Sequence, residues 1–281
     1  MIKPDLRDER ELRYLAGELS FDERANYHAD IDDLKPVLLE HYLRTVGSEL
    51  YKSVFDRPLQ DVASDMSLLG CQSECRKPLN AALLLFSDHP EEFFPYAQIE
   101  VVDKPDPTGI GMVEKIFRGP LDRQLVDALA FIRNYCLSEY VTKVPDSALA
   151  IRAFNFPYLA VKEALCNAVL HKSYRIHEPV TVTVTPQKME ILSIPGPDSS
   201  ITDEALEKGR LVSGQQRNRM IGNFLRRLSL AEGRNTGVPR IIAAMKSNGS
   251  PPPSFETDGE RSYFQTVLPV HPLFLQKRSV P

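Results

Sequence analysis

The sequence predicts an α/β chain in two parts, an α+β connector over residues 1–145 and a two-layer α/β sandwich over residues 146–281. Three observations lead to this prediction. Apolar and polar residues alternate over 179–184 and 189–193 around a turn, which is the pattern of a β-hairpin. Helical periodicity precedes this hairpin and follows it. The pattern changes near residues 142–146, where we place the boundary, and helices would cover one face of a mixed sheet.

The elements of the connector follow from helix starts and chain breakers. Two helices are predicted, over residues 34–46 and 58–66, the second opened by a proline. Three strands are predicted, over residues 80–86, 98–102 and 111–117, with a loop rich in Pro, Asp and Gly before the last. A long amphipathic helix is predicted over residues 121–140.

Composition indicates an ordinary globular protein. The chain has 281 residues, of which 42% are apolar and 26% charged. No apolar run approaches the ~18 residues of a membrane span, and the charged N-terminus is unlike a secretory signal, so we expect a cytoplasmic protein. Cys71 and Cys75 have no second pair or nearby His to complete a metal site, and Cys136 and Cys166 fall in apolar stretches. Reduced, mostly buried thiols are therefore expected.

A polar stripe marks the helix that the sequence predicts before the hairpin. Glu163, Asn167 and His171 recur at i, i+4 and i+8, which places them on one face of an otherwise apolar helix. A carboxylate one turn from a carboxamide suits nucleotide hydrolysis, because the carboxylate accepts a proton from water and the carboxamide oxygen is a hard ligand for Mg²⁺. Spacing alone leaves a solvated helix edge as the alternative.

A glycine-flanked loop precedes another predicted helix. Gly233, Thr236 and Gly237 lie where unobstructed backbone N–H groups and a helix dipole attract phosphate. The same glycine freedom serves an ordinary helix start, which stays open as the alternative.

Basic residues concentrate around this loop. Residues 208–246 hold nine basic side chains and one acidic one, Glu232, in a chain whose net charge is −4. Arginine forks suit the phosphate oxygens of a nucleotide or of a nucleic-acid backbone. The alternative is that several of these arginines pair with the acidic N-terminal part.

Four motifs occur in order along the second half of the chain. They are EALCNAVLHKSY over residues 163–174, the hairpin ending in SIPG at 193–196, the helix that starts with Arg217 and Asn218, and GVPRII over 237–242. Together they resemble a bacterial and archaeal group of transcriptional regulators labelled RecG-like. In that group a divergent GHKL-type ATPase domain follows an AlbA-like, Schlafen-related DNA-binding domain. The resemblance runs from about residue 151 to residue 269, and residues 79–121 resemble the segment between the two domains.

The resemblance implies an ATP site with Mg²⁺. Glu163 would be the activating base and Asn167 the Mg²⁺ ligand. The other implied nucleotide-binding residues are His171, Pro195, Gly196, Arg217, Asn218, Gly233, Thr236 and Gly237, with the Pro195–Gly196 turn on the adenine side and the Gly233–Gly237 loop on the phosphate side. Residues 10–26 would be the tail of the AlbA-like domain, so we expect a fragment or a truncated product that contacts DNA only through the rest of that domain.

The adenine-side turn departs from the pattern of ATPases in this class. They place an Asp there that accepts a hydrogen bond from the adenine amino group, whereas this chain has Ser193 and no carboxylate between Glu190 and Asp198. A hydrogen bond to a charged acceptor contributes about 1.5–3 kcal/mol, so nucleotide affinity should be roughly tenfold to more than a hundredfold weaker. Discrimination between ATP and GTP should also be weak.

Three hypotheses on function follow. The first is a nucleotide-binding regulatory module of a transcriptional regulator, with slow ATP hydrolysis left open. The second is a degenerate GHKL scaffold for protein association, and the third is direct nucleic-acid binding through residues 208–246. The apolar segments 81–86 and 121–140 also predict a homo-oligomer. His171, Tyr174 and His177 are expected to be packing or rim groups rather than catalysts.

Overall fold

The computed structural model describes residues 19–70, 76–143, 150–198, 200–209, 216–231 and 236–276. The strands within these ranges are β1 (Leu69–Gly70), β2 (Lys77–Pro78), β3 (Ile99–Asp103), β4 (Val113–Phe117), β5 (Glu139–Lys143), β6 (Ala150–Phe154), β7 (Val180–Val184), β8 (Lys188–Ser193), β9 (Ser254–Glu256) and β10 (Phe264–Pro269). Six of them form the main sheet of the described residues, in the order β4-β3-β7-β8-β10-β9. The two remaining pairs are β1 with β2 and β5 with β6.

The α-helices of the described residues are α1 (Pro36–Thr45), α2 (Leu59–Asp65), α3 (Asn80–Phe86), α4 (Leu121–Phe131), α5 (Tyr158–His171), α6 (Asp203–Glu207), α7 (Arg219–Arg227), α8 (Gly237–Asn248) and α9 (Pro272–Gln276). Proline fixes several of the starts, because its preset φ favours the first helical turn and its absent N–H costs nothing there: Pro36 is the first residue of α1, and Pro157 directly precedes α5. Gly249 ends α8 in the left-handed conformation, with φ +76°.

Strand alternation gives the main sheet one buried face and one partly exposed face. Along β7 the valines are buried, whereas Thr181 and Thr183 are partly exposed. β3 runs parallel to β7, with Val101 opposite Val182, and β7 and β8 form an antiparallel hairpin. α4 and α5 pack against this sheet. The result is the two-layer α+β arrangement that the sequence predicts, with α5 held above the centre of the sheet.

Most predicted elements are confirmed, and two are wrong. Residues 80–86 form the helix α3 rather than a strand, and all seven residues are buried. A short apolar run that is buried on every side has no periodicity to distinguish a helix from a strand. The helix predicted over residues 121–140 ends earlier, because α4 passes into a π-helical turn over Ile132–Cys136 and the chain then enters β5.

The boundary near residue 145 stays a prediction. β3 and β4 precede it and the other four strands of the main sheet follow it, so the sheet draws on both sides. One cluster of buried apolar residues extends from Ala29 to Val270. The helix that carries the polar stripe therefore rests on a core to which both parts contribute.

Within the described ranges no helix combines the length and the apolar character needed to cross a membrane. Cys136 and Cys166 are buried free thiols, as predicted, whereas Cys71 and Cys75 lie outside the described residues.

Candidate functional site

The predicted polar stripe lies along α5, and its exposure changes from one end to the other. Glu163 is buried, Asn167 is half-buried and His171 is exposed. α8 packs along α5, and its first turns lie beside the Glu163 end of the stripe. The stripe is therefore not a solvated helix edge, because α8 covers part of it.

Glu163 forms an ion pair with a residue of α8. Its Oε1 lies 3.0 Å from Nη1 of Arg240, and the Glu163 side chain is only 3% exposed, against 41% for Arg240. A carboxylate this deeply buried needs a cation or several donors to remain charged. As a general base, Glu163 would have to accept a proton from water while one of its oxygens is paired with this guanidinium.

Asn167 lies against the start of α8. A Cβ atom built on Gly237 would be 2.7 Å from Nδ2 and 3.0 Å from Oδ1 of Asn167, so only glycine lets the helix start come this close. No residue within the described ranges forms a hydrogen bond with the Asn167 carboxamide. A half-buried carboxamide therefore lies beside a helix N-terminus with its hydrogen-bonding groups unused.

Arg217 connects the end of α5 to the turn after β8. Its Nη1 donates to the backbone oxygen of His171, and its Nη2 lies 3.4 Å from the backbone oxygen of Gly196. The structure thus brings three predicted site residues together through one guanidinium. Desolvation and, to a smaller extent, the positive charge of Arg217 lower the pKa of His171 below its usual value, so the imidazole is neutral at pH 7.

Asn218 caps the C-terminus of α5. The side chain is buried, and its Nδ2 donates to the backbone oxygens of Leu170 at 2.9 Å and Lys172 at 2.7 Å. The last carbonyl groups of a helix have no hydrogen-bond donor within the helix, and the Asn218 side chain supplies such a donor at the end of α5. Through these contacts, Arg217 and Asn218 both have a structural role at the C-terminal end of the stripe.

The turn that the resemblance places beside adenine is tightly packed. The Gly196 N–H donates to the backbone oxygen of Arg261 at 2.7 Å. A Cβ on Gly196 would lie 2.6 Å from that oxygen and 2.7 Å from the backbone oxygen of Tyr263, closer than real Cβ atoms come. Pro195 precedes it and is partly exposed. Chain packing therefore explains the glycine without a nucleotide.

Ser193 ends β8 on the buried face of the sheet. It is 1% exposed, and its Oγ has no hydrogen-bond partner within the described residues. Leaving a buried hydroxyl without a hydrogen bond costs about 1–3 kcal/mol. No hydrogen bond within the described residues therefore explains why a serine stands here. It is the position at which the resemblance noted in the sequence would place an adenine-binding Asp.

The structure describes only the end of the loop expected on the phosphate side. Gly233 lies outside the described residues. Thr236 is exposed and directly precedes α8, and its backbone oxygen accepts the first helical hydrogen bond from Arg240 N at 3.1 Å. α8 begins at Gly237, as predicted.

Sequence reasoning missed two contributors to this region. Arg240 was counted as one of many basic residues, although a cation so close to a helix N-terminus opposes the helix dipole and therefore suggests a nearby carboxylate. The short 3₁₀ segment Phe21–Glu23 was also missed. Asp22 is fully buried there, and its Oδ2 accepts a hydrogen bond from Ile221 N at 2.8 Å in the first turn of α7.

Intramolecular ion pairs occupy part of the basic segment 208–246. The described pairs are Lys208 with Glu204, Arg219 with Glu23, and Arg240 with Glu163. Arg219 thus pairs with the acidic N-terminal part, as the alternative predicted. Arg210 and Arg234 lie outside the described residues, and direct nucleic-acid binding through this segment stays a prediction.

Part of the chain matches a known protein family. Residues 177–268 match the model of a family described as "Putative ATP-dependent DNA helicase recG C-terminal". This match supports a RecG-like, GHKL-type ATPase domain. It covers about a third of the chain and includes the predicted site residues from Pro195 to Gly237, but it begins after Glu163, Asn167 and His171.

One solved structure is similar over nearly the whole chain. The crystal structure of the DIP2311 protein from Corynebacterium diphtheriae superposes with a TM-score of 0.63 at 18% sequence identity. The similarity covers 94% of this chain and 51% of that one, so this chain spans about half the length of the protein it matches. At this identity the likeness concerns the fold alone. No curated protein matches the chain.

Proposed function

We propose that this chain is a nucleotide-binding regulatory module that binds Mg-ATP between α5 and the N-terminus of α8. The observation that carries the proposal is the contact between Asn167 and Gly237. It combines a carboxamide that forms no hydrogen bond within the described residues with the helix end that attracts phosphate. The family match of residues 177–268 supports ATP binding in general.

The residues at this position fit a nucleotide-bound Mg²⁺. The described residues contain no group of three or more His, Cys, Asp or Glu that could hold a metal ion by themselves. Mg²⁺ that arrives with a nucleotide needs only one or two protein oxygens, because phosphates and waters complete its octahedron. Asn167 Oδ1 is such an oxygen. The bound Mg-ATP would supply a charged triphosphate and a hydrolysable anhydride.

Hydrolysis at this site is expected to be slow. Arg240 holds Glu163 in an ion pair, so one carboxylate oxygen is already engaged and the carboxylate is a weaker base. General base catalysis needs the base within hydrogen-bond reach of the water and contributes about 10²–10⁴ in rate. Binding without rapid turnover suits a regulatory module better than a motor.

The regulatory role rests on the resemblance to RecG-like transcriptional regulators. In such proteins the DNA-binding domain precedes the ATPase domain, and we propose the same division of labour here. DNA would then be contacted through an AlbA-like domain rather than through the basic segment 208–246.

A degenerate scaffold that binds no nucleotide is the second candidate. The Glu163–Arg240 ion pair removes the free base, the packing around Gly196 explains that glycine structurally, and Ser193 replaces the adenine-binding Asp. Each of these features is as well suited to a domain that keeps the fold and has lost the ligand.

Calorimetric titration of the chain with Mg-ATP and with Mg-GTP separates the two candidates. The nucleotide module predicts weak binding of both, with similar affinities, because Ser193 cannot act as the carboxylate that reads the adenine amino group. The scaffold predicts no heat from either nucleotide at millimolar concentration. A strong preference for ATP would contradict the expected loss of base discrimination.

A further inference from the structure

One of the two edge strands of the main sheet, β4, is open to solvent along its outer edge. Among the described residues it pairs only with β3. Two of its apolar residues are exposed nonetheless, Val113 by 50% and Ile116 by 41%, and Met112 just before the strand is 48% exposed. An edge strand presents unpaired backbone N–H and C=O groups, and proteins usually cover or charge such an edge.

The side chains of β4 divide between two faces of the sheet. Phe117 is buried, and its ring centroid lies 5.9 Å from that of Phe131 in α4, so positions 113, 115 and 117 face the helices. Glu114 and Ile116 therefore lie on the opposite face from these helices. Both are exposed.

Arg118 continues this alternation beyond the end of the strand. Its Nε donates to Oε1 of Gln98 at 2.9 Å, and Gln98 in turn donates to Glu100 at 2.5 Å. Glu100 lies opposite Ile116 in the register of β3 and β4, so these residues share one face. The open face of the edge thus carries an acid, an apolar residue and a base at positions 114, 116 and 118. No ion pair within the described part of the chain engages Glu114 or Arg118.

Backbone geometry restricts how such a strand pairs with its own copy. In an antiparallel pair, two opposite residues either both point their N–H and C=O groups at each other or both point them away. These directions alternate along an edge strand, so the two-fold axis of a symmetric pair must pass through a residue rather than between two residues.

The charges select one of these axes. An axis at Glu114 or at Lys115 would set like charges directly opposite each other, which is destabilising. An axis at Val113 or Phe117 leaves Glu114 opposite an uncharged residue. Only an axis at Ile116, among the residues of β4, places Glu114 opposite Arg118 of the partner subunit on both sides of the axis.

The geometry points to a homodimer in which β4 pairs antiparallel with β4 of a second copy around Ile116. Two Glu–Arg pairs flank a central contact between isoleucines, and the two six-stranded sheets of the described residues become continuous. This surface differs from both segments that suggested an oligomer in the sequence, residues 81–86, which are buried within the chain, and residues 121–140.

Sedimentation velocity of the full chain across the micromolar range tests this proposal. The wild type should approach twice the protomer mass. Glu114→Arg and Arg118→Glu should each raise the dissociation constant roughly tenfold or more, because each turns two attractive pairs into two repulsive ones. The double variant Glu114→Arg/Arg118→Glu should restore association. Asp56→Arg, at an exposed position outside β4, is the matched control and should change nothing.

Three results would overturn the proposal. A wild type that remains monomeric throughout the range shows that a second copy is not the occupant of this edge. A dimer that neither single variant weakens forms through another surface. Failure of the double variant to restore association, with both single variants folded by circular dichroism, excludes the register centred on Ile116.

Discussion

Arg240 Nη1 lies 3.0 Å from Oε1 of Glu163, and this ion pair fixes α8 against α5 at the buried end of the polar stripe. Glu163 would be the catalytic base by resemblance, and its deep burial gives the ion pair a structural role as well. The two side chains differ in exposure, 3% for Glu163 against 41% for Arg240, and this difference makes the energetics testable.

Arg240→Gln should destabilise the fold more than Glu163→Gln. The first change takes a cation away from a buried carboxylate, at a cost of about 3 kcal/mol, whereas the second leaves a guanidinium that still reaches water, at a cost of about 1 kcal/mol. The double variant should cost less than the sum of the two single changes. Urea denaturation of the three variants measures this, and additive costs would show that the ion pair is energetically unimportant.

Gly196→Ala should destabilise the chain by about 1–3 kcal/mol, because the new methyl group would meet the backbone oxygens of Arg261 and Tyr263 at under 3 Å. Gly259→Ala is the matched control, since a Cβ there has nothing within 4 Å. Thermal unfolding without nucleotide decides the matter. If both variants unfold at the wild-type temperature, packing does not explain the glycine, and a ligand contact becomes the better explanation.

Asn218→Ala should cost about 1–3 kcal/mol by leaving the backbone oxygens of Leu170 and Lys172 without their shared donor. Asn223→Ala, at an exposed position of α7, is the control and should cost far less. Hydrogen exchange should show the loss as faster exchange at the C-terminal turn of α5. Equal stability of the two variants would contradict the capping role.

Asp22 and Glu23 should give opposite pH dependences of stability. Burial raises the pKa of Asp22 above 3.8 despite its hydrogen bonds. Burial alone would also raise the pKa of Glu23, but hydrogen bonds from Arg219 and Ser20 outweigh it and lower that pKa below 4.5. The protonated Asp22 is therefore favoured in the folded state, whereas the ionised Glu23 is favoured there.

The signs follow from proton binding. For Asp22 the folded state binds more protons, so its contribution is fully present below pH 3.8 and is lost as pH rises through the raised pKa. For Glu23 the contribution is present above pH 4.5 and is lost as pH falls through the lowered pKa. As pH rises, the unfolding midpoint of wild type should therefore fall relative to Asp22→Asn and rise relative to Glu23→Gln. Parallel curves for wild type and both variants would contradict this.

The sequence predicted the elements with clear periodicity and the positions of the polar stripe. β7 and β8 alternate strictly, and the stripe of α5 depends only on helical spacing, so local patterns sufficed. Residues 80–86 were predicted as a strand because a helix that is buried on every side shows no alternation of apolar and polar residues.

Partners far apart in the chain were beyond local patterns. Arg240 follows Glu163 by 77 residues, and Asp22 precedes Ile221 by 199. The tight contact at Gly196 likewise depends on Arg261, which lies in the connection between β9 and β10. Such contacts decide whether a predicted catalytic residue is free, and only the assembled fold reveals them.

The affinity of Asn167→Ala for ATP, measured by calorimetry with Mg²⁺ and again with EDTA, tests the central claim most directly. Asn223→Ala is the control. If Asn167 holds the nucleotide-bound Mg²⁺, its removal should weaken binding roughly tenfold to a hundredfold with Mg²⁺ and have little effect in EDTA, where no metal is present to ligate. Wild-type affinity of Asn167→Ala in the presence of Mg²⁺ would contradict the assignment of the metal ligand and of the site.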